Sequence, residues 1–404
     1  MVPKGWVEGK VSDLLNGLES GVSVNGEDRD LAVNEKAVLK VSAVSYGYFD
    51  PLAAKAIKGD ELSRAKTKPK QGQIIISRSN TEELVGASAF IERDYPNLFL
   101  PDKLWQTIPK KNANMKWLSY ILTSAHARYT LSNLATGTSG SMKNITKGEL
   151  LSLKILIPPT SEQKKIAQIL STWDKAITNT EQLLANSQQQ KKALMQQLLS
   201  GKKRLLDKNG VRFSGEWKTY KFGNLFKERV ETGRDDLPLL SITADDGVVK
   251  QEDTGRKNTS NEDKSKYRRI CVNDIGYNTM RMWQGRSSLS DKEGIVSPAY
   301  TIVTPTGKVC PAYAAYLFKL PALIHVFYRH SQGLVSDTWN LKFNHFKKIS
   351  WQLPNIEEQQ KIAAVLSTAD EEISALQQKL DALKQEKKAL MQQLLTGKRR
   401  VKVH

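Results

Sequence analysis

The chain has 404 residues, 39% hydrophobic and 25% charged, with a formal net charge of +19 and a pI near 9.6. That length and apolar content argue for two or three cored domains and against a disordered polymer. No apolar run approaches the ~18 residues of a membrane span, the first residues lack a signal-peptide stretch, and Cys271 and Cys310 sit in unlike contexts, so a cytoplasmic protein with reduced thiols and no membrane contact is expected.

In chain order, the first large segment carries Trp6, then the short apolar runs Val38-Leu39-Lys40-Val41-Ser42 and Gln73-Ile74-Ile75-Ile76-Ser77, which read as strands. Residues 114–122 read as a short helix. A long helix-forming stretch follows, opened by Pro158-Pro159 and stopped by Gly201, with no Gly or Pro between them. The second large segment repeats this order. It carries Trp217, then Leu239-Leu240-Ser241-Ile242-Thr243 and Asp274-Ile275-Gly276-Tyr277-Asn278, then a helix over residues 311–320 that starts on a proline. A second long stretch runs from Pro354 to Gly397.

The two long stretches are copies. Glu162-Gln163 recurs as Glu358-Gln359, an offset of 196, and Leu170-Ser171-Thr172 recurs as Leu366-Ser367-Thr368. Lys191-Lys192-Ala193-Leu194-Met195-Gln196-Gln197-Leu198-Leu199 recurs unchanged over residues 387–395. Such a repeat means duplication. Apolar positions alternate by four and three: Ile166, Leu170, Trp173, Ile177, Thr180, Leu184, Ser187, Lys191, Leu194 and Leu198 in the first copy, Ile362, Leu366, Ala369, Ile373, Leu376, Leu380, Leu383, Lys387, Leu390 and Leu394 in the second. This is a coiled-coil seam on rods of roughly 60 Å at ~1.5 Å per residue. Antiparallel pairing of the rods would place Lys191 and Lys387 opposite the far rod's first turns, with the ammonium reaching water.

The order domain, rod, domain, rod resembles the specificity subunit of type I restriction-modification systems. So do Ile157-Pro158-Pro159 leading to Glu162-Gln163, and the Lys-Lys-Ala-Leu-Met-Gln-Gln-Leu-Leu-Ser-Gly-Lys ending. Met280-Arg281-Met282-Trp283-Gln284-Gly285, followed by Val296-Ser297-Pro298-Ala299-Tyr300, is similar to the interior of a target recognition domain. The resemblance implies an α+β fold with two mixed α/β target recognition domains separated by two long helices in an antiparallel coiled coil, with an internal pseudo-twofold repeat. The expected divisions are recognition domains at 1–157 and 207–353 and helical spacers at 158–206 and 354–404. It further implies a non-catalytic subunit that reads a bipartite site on double-stranded DNA. Its partners would be two methyltransferase subunits and, through the complex, the restriction and motor subunits. Met280 to Gly285 has no close sequence counterpart near Ser79 to Val85, so the domains are expected to read different half-sites.

The basic balance agrees with a polyanionic partner, and both large segments are basic, +5 over residues 1–156 and +7 over residues 207–353. The DNA-binding candidates are Lys66, Lys68, Lys70, Arg78 and Asn80 in the first domain. In the second they are Arg256, Lys257, Lys264, Lys266, Arg268, Arg269, Asn278, Arg281, Trp283, Gln284 and Arg286. Loop lysines suit phosphates, and Arg, Asn and Gln read base edges bidentately. Ile169, Met195, Leu199, Val365, Met391 and Leu395 are surplus to the seam. They are candidates to bind a partner, with packing under a recognition domain as the competing reading.

Catalysis finds no support. There is no Gly-rich cofactor loop, no Asn-Pro-Pro-Tyr motif and no phosphate loop, and Gln392 stands where a Leu395-Thr396-Gly397-Lys398 phosphate loop would need its upstream glycine. His325 and His330 lie five apart with no Glu between them, which disfavours a zinc site. No cofactor or metal is expected. A DNA-binding adaptor unrelated to restriction and a coiled-coil scaffold for an acidic protein are the alternatives.

Overall fold

Each of the two large segments is tied shut by pairing its first strand with its last. Val7–Lys10 (β1) runs antiparallel to the strand that ends at Ile157, and Lys218–Lys221 runs antiparallel to the strand that ends at Leu353. The computed structural model describes residues 2–137, 142–243, 247–255, 260, 262–334 and 338–402. The chain folds as two compact units, one of residues 1–180 with 379–404 and one of residues 181–378. Each rod contributes to both, so the units cut across the chain-order division.

In the first unit, Leu15–Ser20 (β2), Ile74–Ser77 (β3), Ser88–Phe90 (β4) and Leu104–Pro109 (β5) form an antiparallel sheet in the order β2-β5-β3-β4, and Lys154–Ile157 (β6) is the partner of β1. The isoleucine run of β3 is buried on both faces. Ile74 and Ile76 enter the larger core and Ile75 the smaller one, as the two-residue period of a strand requires. Helix α1 (Met115–Thr123) is capped by Asn114, whose Oδ1 accepts from the Trp117 amide at 2.9 Å, and α2 (Ala125–Leu134) is capped by Ser124.

The second unit repeats the topology of this sheet and of the closing strand pair. Lys218–Lys221 (β7), Phe226–Arg229 (β8), Ile275–Asn278 (β9), Ser287–Leu289 (β10), Tyr300–Pro305 (β11) and Ser350–Leu353 (β12) give a sheet in the order β8-β11-β9-β10, with β7 on β12. Strand β9 aligns with β3, but Gly276 replaces Ile75. A Cβ there would lie 2.2 Å from Ile242 Cδ1, so the glycine makes room for that side chain. Helix α3 (Pro311–Leu317) and α4 (Pro321–His330) each carry proline in the first turn, where its missing N–H costs nothing.

The rods are continuous helices, Thr160–Leu198 and Ile356–Leu394, each followed by a glycine in the left-handed region, Gly201 at φ +74° and Gly397 at φ +69°. Burial follows the heptad: Ile166, Leu170, Thr180, Leu184 and Leu198 are buried, as are Ile362, Leu366, Leu380 and Leu394. Thr180 satisfies its hydroxyl on the Ala176 carbonyl at 2.8 Å. The start of the first rod and the end of the second share the larger core of the first unit, through Ile166, Ala167, Leu170, Leu394 and Leu395. In the second unit Leu198, Leu199, Ile362, Ala363 and Leu366 do the same. Within each unit the rod segments therefore run antiparallel.

Polar residues of the repeat interlock these segments. In the first unit Glu162 accepts from Arg400 and from Trp6 Nε1 at 3.1 Å, while Asp174 accepts from Lys387 and from the Tyr120 hydroxyl at 2.5 Å. In the second, Glu358 accepts from Arg204 at 2.5 and 2.7 Å, and Asp370 accepts from Lys191 and from the Tyr316 hydroxyl at 2.6 Å. Gln163 and Gln359 donate to the carbonyls of Pro158 and Pro354, each at 2.9 Å. The seam lysines stay part-exposed, and each meets a carboxylate of the far rod. Their ammonium groups are ion-paired to Asp174 and Asp370, which the apolar periodicity does not register.

Candidate DNA interface

The turn after β9 is built to be rigid and to leave its polar side chains outside. Met282 is buried, Asn278 Oδ1 accepts from the Met280 amide at 3.0 Å, and Trp283 Nε1 donates to the Met280 carbonyl at 3.0 Å. Lys319 Nζ clamps the Gly285 carbonyl at 2.9 Å. Gly285 has φ +75°, and a Cβ on it would meet Ile324 Cδ1 of α4 at 2.7 Å, so the turn lies hard against that helix. Arg281, Gln284 and Arg286 are exposed. Their side chains make no hydrogen bond or ion pair among the described residues. Trp283 opens an aromatic row: edge-to-face on Trp339 at 5.3 Å, Trp339 edge-to-face on Tyr328 at 4.8 Å, and Tyr328 stacked on His325 at 5.9 Å.

The basic run upstream is differently used. Arg268 donates to Glu228 at 2.8 Å, and Arg269 is paired with both Glu231 and Glu293. Hydrogen bonding to Glu293 and then Glu231 holds the Arg269 guanidinium above its usual pKa. Lys264 lies over the Tyr267 ring and donates to Ser260 at 2.8 Å, while Lys266 is exposed. Arg256 and Lys257 lie outside the described residues. In the first unit Lys66 and Lys70 are exposed and Lys68 lies over the Phe99 ring at 5.2 Å. Arg78 donates to the Asp102 carbonyl at 2.8 Å and carboxylate at 3.1 Å. Asn80 donates to Ser77 Oγ at 3.3 Å and accepts from the Thr81 amide at 2.8 Å. The structure thus gathers Asn278, Arg281, Trp283, Gln284 and Arg286 on one turn. Arg78, Arg268 and Arg269 would have to give up a carboxylate before reading a base.

The first unit has a counterpart of this turn that its side chains conceal. Gly86, at φ +78°, occupies the place of Gly285 and packs on Leu131 of α2, with a Cβ contact of 3.0 Å. The chemistry is reversed, because exposed Glu82 and Glu83 precede Gly86 where Arg281 and Arg286 flank Gly285.

Leu199 and Leu395 are buried in the cores of the second and first units. Ile169 and Met391 pack partly buried against the first core, Met195 and Val365 against the second. Leu199 and Leu395 are thus core residues of the two units, as the competing packing reading expects, while the other four keep a partly exposed edge. The tyrosine–aspartate–lysine and glutamate–arginine groups went unassigned in the sequence, although all except Trp6 and Trp217 recur at the offset of 196. Burial, then hydrogen bonding to Asp174 and Asp370, raises the pKa of Tyr120 and Tyr316.

Among the described residues no group of three or more His, Cys, Asp or Glu side chains is placed to hold a metal ion, and no helix is long and apolar enough to cross a membrane. The model of the type I restriction modification DNA specificity domain matches residues 3–186 and again 215–385. The chain is 24% identical over 431 aligned positions to the putative type I restriction enzyme MjaX specificity subunit of Methanocaldococcus jannaschii, covering 99% of this chain and 95% of that one. It is 27% identical over 163 residues to the EcoKI specificity subunit of Escherichia coli K12, covering 40% of this chain and 33% of that one. The fold is shared with the type I restriction-modification S subunit from M. genitalium, at a TM-score of 0.60, 14% identity and 96% coverage of each chain. A structure solved for complex assembly and conformational transition of the type I system gives a TM-score of 0.55 at 15% identity, with 98% of each chain covered.

Proposed function

Because the chain belongs to the type I restriction modification DNA specificity family, we propose that it reads a bipartite site on double-stranded DNA and positions two methyltransferase subunits and, through the complex, the restriction and motor subunits. It is a specificity subunit and not itself an enzyme. It works in the cytoplasm, with residues 1–157 and 207–353 as readers and residues 158–206 and 354–404 as spacers.

One observation carries the bipartite reading. The main four-stranded sheets of the two units share one strand order, yet the units present turns of opposite charge, Glu82 and Glu83 against Arg281 and Arg286. One scaffold with two chemistries suits one site with two unlike halves, since an acidic and a basic turn prefer different base edges. Exposed Lys66, Lys70 and Lys266 supply phosphate contacts, which position without specifying. Lys68, Arg78, Asn80, Lys264, Arg268 and Arg269, each held by a neighbour at the surface, brace it, and Asn278 and Trp283 hold the turn. For partners, the exposed edges of Ile169, Met195, Val365 and Met391 remain. Co-expression with the cognate methyltransferase, followed by mapping of methylated adenines, tests the proposal. Methylation should occur at one split sequence and only when this chain is present. Methylation without it, or at an undivided sequence, overturns the reading.

A further inference from the structure

The aromatic row beside the second unit's turn serves no core. The core of that unit is built on Phe222, Phe226, Phe318, Phe327 and Phe346, whereas Tyr328 is 42% exposed and His325 is exposed. Trp283 and Trp339 are half-buried. Each ring is fixed by the next in edge-to-face or stacked geometry, so the row is a preformed surface. Beside it, Arg281 and Arg286 project from a turn that is braced at the Gly285 carbonyl, at the Met280 amide and on α4. By contrast, Arg229, Arg234, Arg268 and Arg269 of the same unit are all ion-paired. Free guanidiniums on a stiff mount lose little entropy on binding and match a planar pair of acceptors.

We propose that Arg281 and Arg286 read guanine in the half-site of the second unit, and that Trp339, Tyr328 and His325 form an aromatic wall of the same site. This rests on the DNA-recognition reading above and names its specificity-determining side chains. In the major groove guanine presents O6 and N7 side by side, the pair that a guanidinium grips bidentately. The wall seats the apolar part of the duplex, thymine methyls and deoxyribose, which the guanidiniums cannot hold. Charge favours DNA as the occupant. Among the described residues these two cations are without a partner, and the chain as a whole carries +19.

The experiment is selection of a randomised duplex library by the full chain and its variants, with melting curves as the control for folding. The wild type should enrich a split motif. Arg281→Ala or Arg286→Ala should lower the preference for guanine at one position of one half by about tenfold and leave the other half intact. Arg281→Lys should recover affinity without the preference, because the ammonium keeps the charge and loses the fork. Trp339→Ala, or Tyr328→Leu if the first melts early, should weaken binding to the whole motif without changing the guanine choice or the salt dependence. If the Arg281→Ala/Arg286→Ala double variant enriches the wild-type motif in both halves, the inference is wrong and the recognition reading stands. If the wild type enriches no motif, the recognition reading itself fails and takes the inference with it.

Discussion

Lys387 is ion-paired to Asp174, and the hydroxyl of Tyr120 in the recognition domain donates to the same carboxylate at 2.5 Å. One aspartate thus fastens a domain helix and the far rod to the near rod. The same arrangement recurs at the offset of 196, with Tyr316 and Asp370 later in the chain and Lys191 earlier.

Removing the shared acceptor should cost more than removing either donor. Asp174→Ala strands both an ammonium and a hydroxyl, at about 1–3 kcal/mol for each group left unpaired, whereas Tyr120→Phe removes a single bond to the carboxylate, at about 1.5–3 kcal/mol. Chemical denaturation of the single and double variants checks this. The two losses should be strongly non-additive because the partners share a carboxylate. Equal, additive losses would show that the triad is not a unit.

Arg204→Ala should be among the most damaging single changes to the second unit. The Glu358 side chain is fully buried and bonded twice by Arg204. Leaving that carboxylate unpaired costs about 3–5 kcal/mol, and Arg204→Met combined with Glu358→Leu should recover most of it. The readout is the denaturation midpoint of each variant.

The first unit should lose stability in acid through Glu162. Hydrogen bonding from Arg400, then from Trp6, holds its carboxyl below the usual carboxylate pKa. A depressed folded-state pKa contributes stability that is present above the unfolded value, about 4.3, and is lost as pH falls through the folded value. Wild type should therefore exceed Glu162→Gln in stability at neutral pH, with the gap closing in acid. A gap independent of pH would assign the effect to packing.

Leu199→Glu should unfold the second unit rather than release one partner selectively, because the side chain is fully buried in that core. Even Leu199→Ala should cost about 2–5 kcal/mol. Calorimetry and the stoichiometry of the purified complex separate the outcomes: a normal melting temperature with one methyltransferase missing would return Leu199 to the partner surface.

The rods were legible in the sequence because the heptad, the leading prolines and the trailing glycines are local signals, and burial follows that period from Ile166 to Leu198. The helix starting at Pro311 was legible for the same reason. Helices α2 and α4 were not, since their buried faces are short, Ala127 with Leu131 and Leu323 with Phe327. The pairs of Arg78, Arg268 and Arg269 were hidden because Asp102, Glu228, Glu231 and Glu293 come from other segments. The lysine–aspartate locks were hidden because an aspartate beside a seam looks like any solvated charge. The duplicated turn was hidden because only Gly86 and Gly285 survive as its signature, and a left-handed glycine shows itself in φ rather than in composition.

The division into units has a consequence for synthesis on the ribosome. Residues 181–378 are contiguous, so the second unit has all its parts as soon as that stretch has emerged. The first unit begins to emerge earlier but completes later. Its core needs Leu394 and Leu395, and Glu162 has no arginine until Arg400 is made. Until then the nascent chain carries an open apolar face around Ile166 and Leu170. The domain translated first is the last to close, and the long-range contacts that close it are of the kind that form slowly.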